Sequence, residues 1–300
     1  MSHSQIALVT GATGFIGSKI VRRLLLEGVA VRAISSGTNR TRLAGLEGEI
    51  EWFGTSDEDI LKATQDVRQF FNFAVVYDRA NFSSDYIYDV NVNLPLRVLD
   101  VLRNCSSPVA CVLGDSFYRK FPPSATAQVR YTESKNQLAR HIADLPIGHQ
   151  CHVALLLIEQ VYGPGENLDK AYPRIVRQLL SNTPRVSLTQ GTQRRDFIHI
   201  DDTVEAALLV GRSKWTGYVE VECGSGESTP VKSVFERLKA ITSSRSTLGI
   251  GDLAADQTID DSTADTTWLR NRGWQPKWTL EEGLQDFVAD VKRRTAGERK

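Results

Sequence analysis

Ile6-Ala7-Leu8-Val9-Thr10-Gly11-Ala12-Thr13-Gly14-Phe15-Ile16-Gly17 restricts the fold more than any other part of the chain. Four apolar residues come first, a run suited to a strand buried on both faces of a parallel sheet. Glycines follow at Gly-x-x-Gly-x-x-Gly spacing. From Ser18 to Glu27 apolar residues recur at Ile20, Val21, Leu24 and Leu25, a helical period. A strand, a glycine turn and a helix in succession make a dinucleotide site. The first glycine permits the tight turn, the middle one lets backbone approach a pyrophosphate, and the last allows close helix–strand packing. The helix N-terminus adds N–H groups and a positive dipole end. The usual fingerprint is Gly-x-Gly-x-x-Gly and glycines also mark ordinary turns, so the flanking strand and helix carry the assignment. Gly11, Thr13, Gly14, Phe15, Ile16 and Gly17 are the candidate cofactor contacts.

The second strand, Val29 to Ile34, leads into Ser35-Ser36-Gly37-Thr38-Asn39-Arg40-Thr41-Arg42. An NAD site usually places Asp or Glu here, on the ribose 2′-hydroxyl. Ser35 stands there instead, with two arginines beyond it. A 2′-phosphate would be repelled by a carboxylate and held by hydroxyls and guanidinium. NADP(H) is therefore the expected cofactor, with Ser35, Ser36 and Arg40 at its phosphate. The plainer reading makes Arg40 and Arg42 part of a solvated loop.

Glu51–Phe53 and Gln69–Val76 read as the third and fourth strands, with Ala74 of the latter a further cofactor contact. Val90 to Leu102 reads as a long helix with Pro95 in its first turn, and Val109–Leu113 as another buried strand. Strands alternating with helices predict an α/β fold with a doubly wound parallel sheet. Lys+Arg and Asp+Glu both number 36, so no net field favours nucleic acid or an anionic membrane. No apolar run approaches the ~20 residues of a membrane span. Met1-Ser2-His3-Ser4-Gln5 has no signal-peptide pattern, which predicts a cytoplasmic protein. Cys105, Cys111, Cys151 and Cys223 read as free thiols, and the histidines (His3, His141, His149, His152, His199) form no metal-binding pair.

Tyr131-Thr132-Glu133-Ser134-Lys135 opens a further helix. Positions i and i+4 share a face, which sets a phenol beside an ammonium. The ammonium would favour phenolate and lower the tyrosine pKa toward working pH. Alone the pattern is common on surfaces; after a nucleotide fold it reads as a catalytic pair.

With these features the chain resembles the extended short-chain dehydrogenase/reductases of the nucleotide-sugar epimerase/dehydratase group. Further landmarks are Val161-Tyr162-Gly163-Pro164-Gly165, Arg195-Asp196-Phe197-Ile198-His199-Ile200-Asp201-Asp202 and Leu269-Arg270-Asn271-Arg272-Gly273-Trp274-Gln275-Pro276, the last followed by Leu280-Glu281-Glu282-Gly283-Leu284. Ile158-Glu159-Gln160 and Gly114-Asp115-Ser116-Phe117-Tyr118 are most similar to reductases of CDP-4-keto-6-deoxyhexoses, the abequose and paratose synthase type. The resemblance implies a Rossmann-type domain and a smaller C-terminal α/β substrate domain. It implies NADPH reduction of a nucleotide-diphosphate sugar 4-ketone, with Tyr131 protonating the alkoxide and Lys135 also holding the nicotinamide ribose. Gln160 and Arg195 would bind substrate, Arg195 at the diphosphate unless it serves a salt bridge to Asp201 or Asp202. A homodimer is expected, and no metal. Residues 1–162, with 191–222 returning, would form the first domain, 163–190 and 223–291 the second, and 292–300 a fraying tail.

One departure stands out. The family normally has Ser or Thr four residues before the tyrosine of its strand-end motif, and counting back from Tyr118 gives Gly114. Ser116 is expected to supply the missing hydroxyl, with Asp115 near the substrate as second candidate, because ligands of open α/β sheets bind outside the strands' carboxyl ends. Gly114→Ser is expected to raise turnover. The rival readings are an epimerase or dehydratase recycling NAD, and a cofactor-binding regulator with weak catalysis. The missing acid after the second strand, and Ser116 where dehydratases carry Glu, speak against the former; the retained Tyr131 and Lys135 speak against the latter.

Overall fold

The computed structural model describes residues 5–78, 81–146, 150–255 and 259–297. The expectations on Met1–Ser4, His149, Arg299 and Lys300 lie outside the described residues. The chain separates into two compact units. Unit 1 comprises the residues up to Ile158 together with Val204–Val221; unit 2 comprises Glu159–Thr203 and the residues from Glu222. The segment returning to the first unit is thus shorter than the expected 191–222.

Unit 1 is built on β1 (Ile6–Thr10), α1 (Phe15–Leu26), β2 (Ala30–Ile34), β3 (Ile50–Phe53), α2 (Asp57–Ala63) and β4 (Val67–Asn72). It continues with α3 (Ser84–Tyr88), α4 (Leu94–Leu102), β5 (Val109–Ser116), α5 (Val129–Asp144) and β6 (Cys151–Ile158). β7 (Gln160–Tyr162), α6 (Ala171–Leu180), β8 (Arg185–Leu188) and β9 (Arg194–His199) follow in unit 2. After α7 (Ile200–Arg212) and β10 (Tyr218–Cys223), unit 2 resumes with β11 (Ser228–Pro230), α8 (Val231–Ile241), β12 (Thr247–Ile250), α9 (Thr267–Arg270) and α10 (Leu280–Gly297).

The seven-stranded sheet runs β10-β6-β5-β4-β1-β2-β3, the doubly wound order expected from alternating strands and helices. The chain reverses direction across the sheet between β1 and β4, which pair in parallel from Ala7↔Gln69 to Thr10↔Asn72. At that edge the Thr10 hydroxyl donates to Asn72 Oδ1 (2.5 Å), both side chains being buried. Leu8, Phe70, Val98, Leu113, Leu138 and Leu155 belong to one apolar cluster between sheet and helices. In unit 2 a three-stranded sheet, β11-β9-β7, and a strand pair, β12-β8, pack with α6, α8 and α10 around Val176, Val186, Phe197, Phe235 and Phe287.

Three elements differ from the sequence reading. The helix expected over Val90–Leu102 begins at Ser84 and passes through a π-turn at Asp89–Asn93 before α4. The π-turn coincides with Asn91, whose side chain leaves the helix ladder: Oδ1 accepts the Val76 N–H (2.8 Å) and Nδ2 donates to Val76 O (2.9 Å). The fourth strand correspondingly ends at Asn72, and 73–78 are irregular. Residues 292–297, part of the expected fraying tail, are helical and continue α10, where buried Asp290 accepts from Arg293 (2.6 Å), Arg294 (3.3 Å) and the Gly165 N–H (2.9 Å).

Candidate active site

The glycine turn sits where β1 meets α1. Gly11 has φ +70°, and a Cβ there would overlap the main chain of Phe73 and Ala74; one on Gly17 would overlap the Gly11 carbonyl. The backbone thus approaches the end of β4 closely on one side and α1 packs onto the turn on the other. Gly14 caps α1 in an extended conformation and donates to Gly11 O (2.8 Å). No side chain caps this helix and no acidic residue lies in its first turn. The N–H groups of Phe15, Ile16 and Gly17 thus head an uncapped helix with its positive dipole end uncompensated, which fits the pyrophosphate of a dinucleotide. Thr13 lies within this turn, and the backbone N of Ala74 lies against Gly11.

Beyond β2, Ser35 makes a local turn by accepting from the Gly37 N–H (3.2 Å), with Ser36 exposed beside it. The Arg40 guanidinium lies 3.9 Å from the Trp52 ring centroid. Arg42 donates to Thr13 O (3.3 Å), and Arg22 donates to Arg42 O (3.2 and 2.6 Å). The two arginines are therefore not simply solvated: one rests on an aromatic face at the end of β3, the other is anchored to the glycine turn.

β5 runs on past Leu113 through Gly114, Asp115 and Ser116, paired to β6 as far as Ser116↔Ile158. This extension places Ser116 at the strand's carboxyl end, beside the first turns of α5. Tyr131 is 5% exposed, and the Ser116 side chain, whose Oγ accepts the Tyr118 N–H (3.2 Å), acts on its phenol in the direction of ionisation. Tyr77 and Tyr118 wall its ring, with centroids at 5.0 and 6.5 Å. Lys135 is 2% exposed, with Nζ 5.8 Å from the Tyr131 centroid, and donates to Gly114 O (2.7 Å). Ser116, Tyr131, Lys135 and the carbonyl of Gly114 thus form one cluster. Asp115 joins it differently: its carboxylate accepts from Arg119 (2.5 Å) and the Ser116 N–H (2.8 Å).

Two expectations are corrected here. The phenol of Tyr131 is not lowered toward neutrality: burial, then the neighbouring Tyr77 and Asp115, hold it well above its ordinary value, and the Ser116 side chain offsets this only in part. Burial also lowers Lys135, against which Asp115 acts. The second correction concerns Gly114. A Cβ there would lie 2.7 and 2.8 Å from ring carbons of Phe73 and 3.4 Å from Asn72 O, so Gly114→Ser cannot restore a hydroxyl without displacing the Phe73 ring.

Asn91 is the residue that the sequence reading missed. It is 1% exposed and joins the Val76 backbone to the Ser134 hydroxyl (3.0 Å), the residue before Lys135. Its signal is an asparagine between Val90 and Val92 at the start of an expected helix, a polar group that demands partners if buried.

Unit 2 holds the remaining candidates. Gln160 is half-buried on β7, opposite Phe197 of β9. Arg195 is 2% exposed and donates to Arg194 O (2.6 Å) and Ile259 O (3.0 Å). Asp196 is wholly buried and accepts the N–H groups of Ser225, Gly226 and Ala264 (2.7, 2.9 and 3.1 Å). Asp202 accepts those of Lys277 and Trp278 (2.9 and 3.1 Å), while Trp274 Nε1 donates to Asp202 O (3.3 Å). Two stretches singled out from sequence, around Arg195–Asp202 and Leu269–Pro276, therefore hold each other.

The family described as NAD dependent epimerase/dehydratase matches residues 7–220. The CDP-abequose synthase of Salmonella muenchen is 29% identical, over 94% of this chain and 96% of its own. That of Salmonella typhimurium is 26% identical, over 95% and 97%. Among solved structures, MoeE5 in complex with UDP-glucose and NAD superposes with a TM-score of 0.80 at 24% identity, covering 97% of this chain and 99% of its own, a likeness of fold.

Proposed function

Because this chain belongs to the NAD dependent epimerase/dehydratase family, we propose that it reduces the 4-ketone of a nucleotide-linked 4-keto-6-deoxyhexose with NADPH. The observation that carries the reading is the buried cluster of Tyr131, Ser116 and Lys135. A reductase needs a proton donor at the carbonyl oxygen, and burial keeps the Tyr131 phenol in its acid form. The likeness to two CDP-abequose synthases supports the same class of substrate.

The cradle of Gly11, Gly14 and Gly17 would hold the dinucleotide, which supplies a hydride to the carbonyl carbon. As that carbon–oxygen π bond breaks, its electron pair moves to the oxygen, and Tyr131 gives that oxygen its phenolic proton. Ser116 donates a hydrogen bond to the same oxygen as charge develops. The Lys135 ammonium stabilises the phenolate until a solvent proton replaces the one given. Ser35, Ser36, Arg40 and Arg42 suit a 2′-phosphate better than a bare ribose hydroxyl, because among the described residues 35–42 there is no carboxylate. Gln160 and Arg195 are the proposed sugar-nucleotide contacts of unit 2.

Absorbance at 340 nm with purified protein, NADPH and CDP- or dTDP-linked 4-keto-6-deoxyhexoses tests the reading. Net oxidation of NADPH, one per alcohol formed, is expected. Turnover of a nucleotide sugar with no net change in NADPH marks an epimerase or dehydratase instead. Binding of NADPH without turnover of any such sugar marks a regulator.

A further inference from the structure

The end of β5 carries a charged chain that the reaction above leaves unused. Asp115 is 6% exposed, and each of its oxygens is engaged inward: Oδ2 by Arg119 Nε (2.5 Å) and Oδ1 by the Ser116 N–H (2.8 Å). Arg119, itself largely buried, continues to Glu220 of β10 (2.7 Å), and Glu220 accepts the Tyr218 phenol (2.5 Å). On the other side Lys135 of α5 donates to the carbonyl of Gly114, the residue before Asp115 (2.7 Å), and the Asp115 charge acts on both Lys135 and Tyr131. Arg119, Glu220, Tyr218, Lys135 and Tyr131 are the charged and titratable groups around it. The sequence reading sets Asp115 near the substrate as second candidate for the missing hydroxyl's role; its oxygens meet Arg119 and the Ser116 N–H. Its reach is to its neighbours.

We propose that Asp115 is a positioning residue, kept ionised by Arg119 in the grip of Glu220, and that it holds Lys135 as an ammonium and fixes Ser116 beside Tyr131. The proposal rests on the reductive reading of the Tyr131–Lys135 pair. Two buried ionisable groups with no further help would neutralise each other's charge by proton transfer, since burial pushes Asp115 up and Lys135 down. Arg119 opposes this at the carboxylate, where its charge favours the ionised form. Toward Lys135 the same guanidinium acts the other way, as a like charge, whereas the Asp115 charge favours the ammonium, as does the Gly114 carbonyl that accepts from it. The carboxylate between them makes two cations compatible in one buried corner. Its Oδ1 meanwhile accepts the backbone N–H of Ser116, whose side chain favours ionisation of the Tyr131 phenol.

These opposed signs give a test that a merely structural role would not pass. Asp115→Asn removes a charge that favours the ammonium, so the alkaline limb of the kcat–pH profile moves down by about 1–3 pH units, the usual effect of a close charge. Arg119→Gln removes what keeps Asp115 ionised, so the acid limb moves up on the same scale, while the alkaline limb does not move down. Lys135 itself is followed without substrate by ¹³Cε NMR titration, with Lys135→Met to assign the signal; its titration should fall in Asp115→Asn. An unchanged Lys135 titration in that variant overturns the proposal, whatever the turnover. A lowered titration in a protein that reduces no keto-sugar supports the positioning role and refutes the reductase reading. If Asp115→Asn does not fold, Arg119→Gln decides: an Asp115 carboxyl whose ¹³Cγ titration stays in place overturns the proposal, and one that rises supports it.

Discussion

Adding a single methyl group at Gly114 is the sharpest test of how the strand end is built. In Gly114→Ala the new Cβ would stand 2.7 and 2.8 Å from Phe73 Cδ1 and Cε1. Carbon atoms pack at about 3.5–4.0 Å, so the ring must retreat by roughly 1 Å. It has little freedom to do so. Phe73 is buried at 9% exposure, and its main chain lies against Gly11 so closely that no Cβ fits between them. Pushing the ring therefore pushes the glycine turn. Overpacking of this kind costs about 1–3 kcal/mol. At about 2–4 °C per kcal/mol for a unit of this size, the melting temperature should fall by some ~2–12 °C. NADPH affinity, read by quenching of intrinsic fluorescence, should weaken in parallel because Gly11 is the pivot. The compensating variant is Phe73→Leu, which shortens the obstructing ring. If the two substitutions are coupled through this contact, the double variant should be more stable than the sum of the single losses predicts. Strict additivity, or a Gly114→Ala protein with unchanged melting temperature and NADPH affinity, would refute the reasoning.

Tyr131→Phe should lower turnover by ~10²–10⁴-fold with NADPH binding nearly intact, as steady-state rates and a binding titration would show. Ser116→Ala should lower kcat by about 10²–10³-fold, the worth of one donor at a developing oxyanion; an unimpaired variant would remove Ser116 from the site. Arg40→Ala and Arg42→Ala should each weaken NADPH more than NADH, and equal losses for the two cofactors would place the 2′-phosphate elsewhere. Asp202→Ala strands the N–H groups of Lys277 and Trp278 and should destabilise unit 2 by about 1.5–3 kcal/mol in chemical denaturation, with Asp202→Asn retaining part of the loss through its amide oxygen.

The parts of the fold that were legible in sequence are those written in local pattern. Four apolar residues, three glycines and a helical period gave β1, the turn and α1, and the Tyr131–Lys135 spacing gave one face of α5. What escaped depended on partners distant in the chain. Gly-Asp-Ser has little strand propensity, yet β5 continues to Ser116 because β6 pairs with it along its whole length. Apolar periodicity alone made Val90–Leu102 a plain helix; only the tie from Asn91 to Val76 explains the π-turn. The role of Arg195 was carried over from the family by position, and that of Asp115 was read from its place at the strand end. The structure adds what position cannot: Asp115 faces Arg119, and Arg195 donates to carbonyls at 194 and 259. Gly114 read as a gap in a motif, while in space it is the clearance that Phe73 occupies.

The hydrogen bond from Lys135 to the carbonyl of Gly114 bears on when the site becomes dry. An ammonium in water carries a tight shell that must be stripped before it can serve in a closed pocket. In this protein most of the stripping is done once the chain has folded, since Lys135 is 2% exposed and a backbone oxygen accepts a hydrogen bond from its Nζ. An arriving ligand would exchange one acceptor for another, oxygen for oxygen, and would displace no hydration shell from the lysine. Folding, the slower and rarer event in the life of the molecule, thus bears the dehydration, and each binding cycle is spared it. A buried ammonium costs stability, so this corner of unit 1 draws on the packing of the rest.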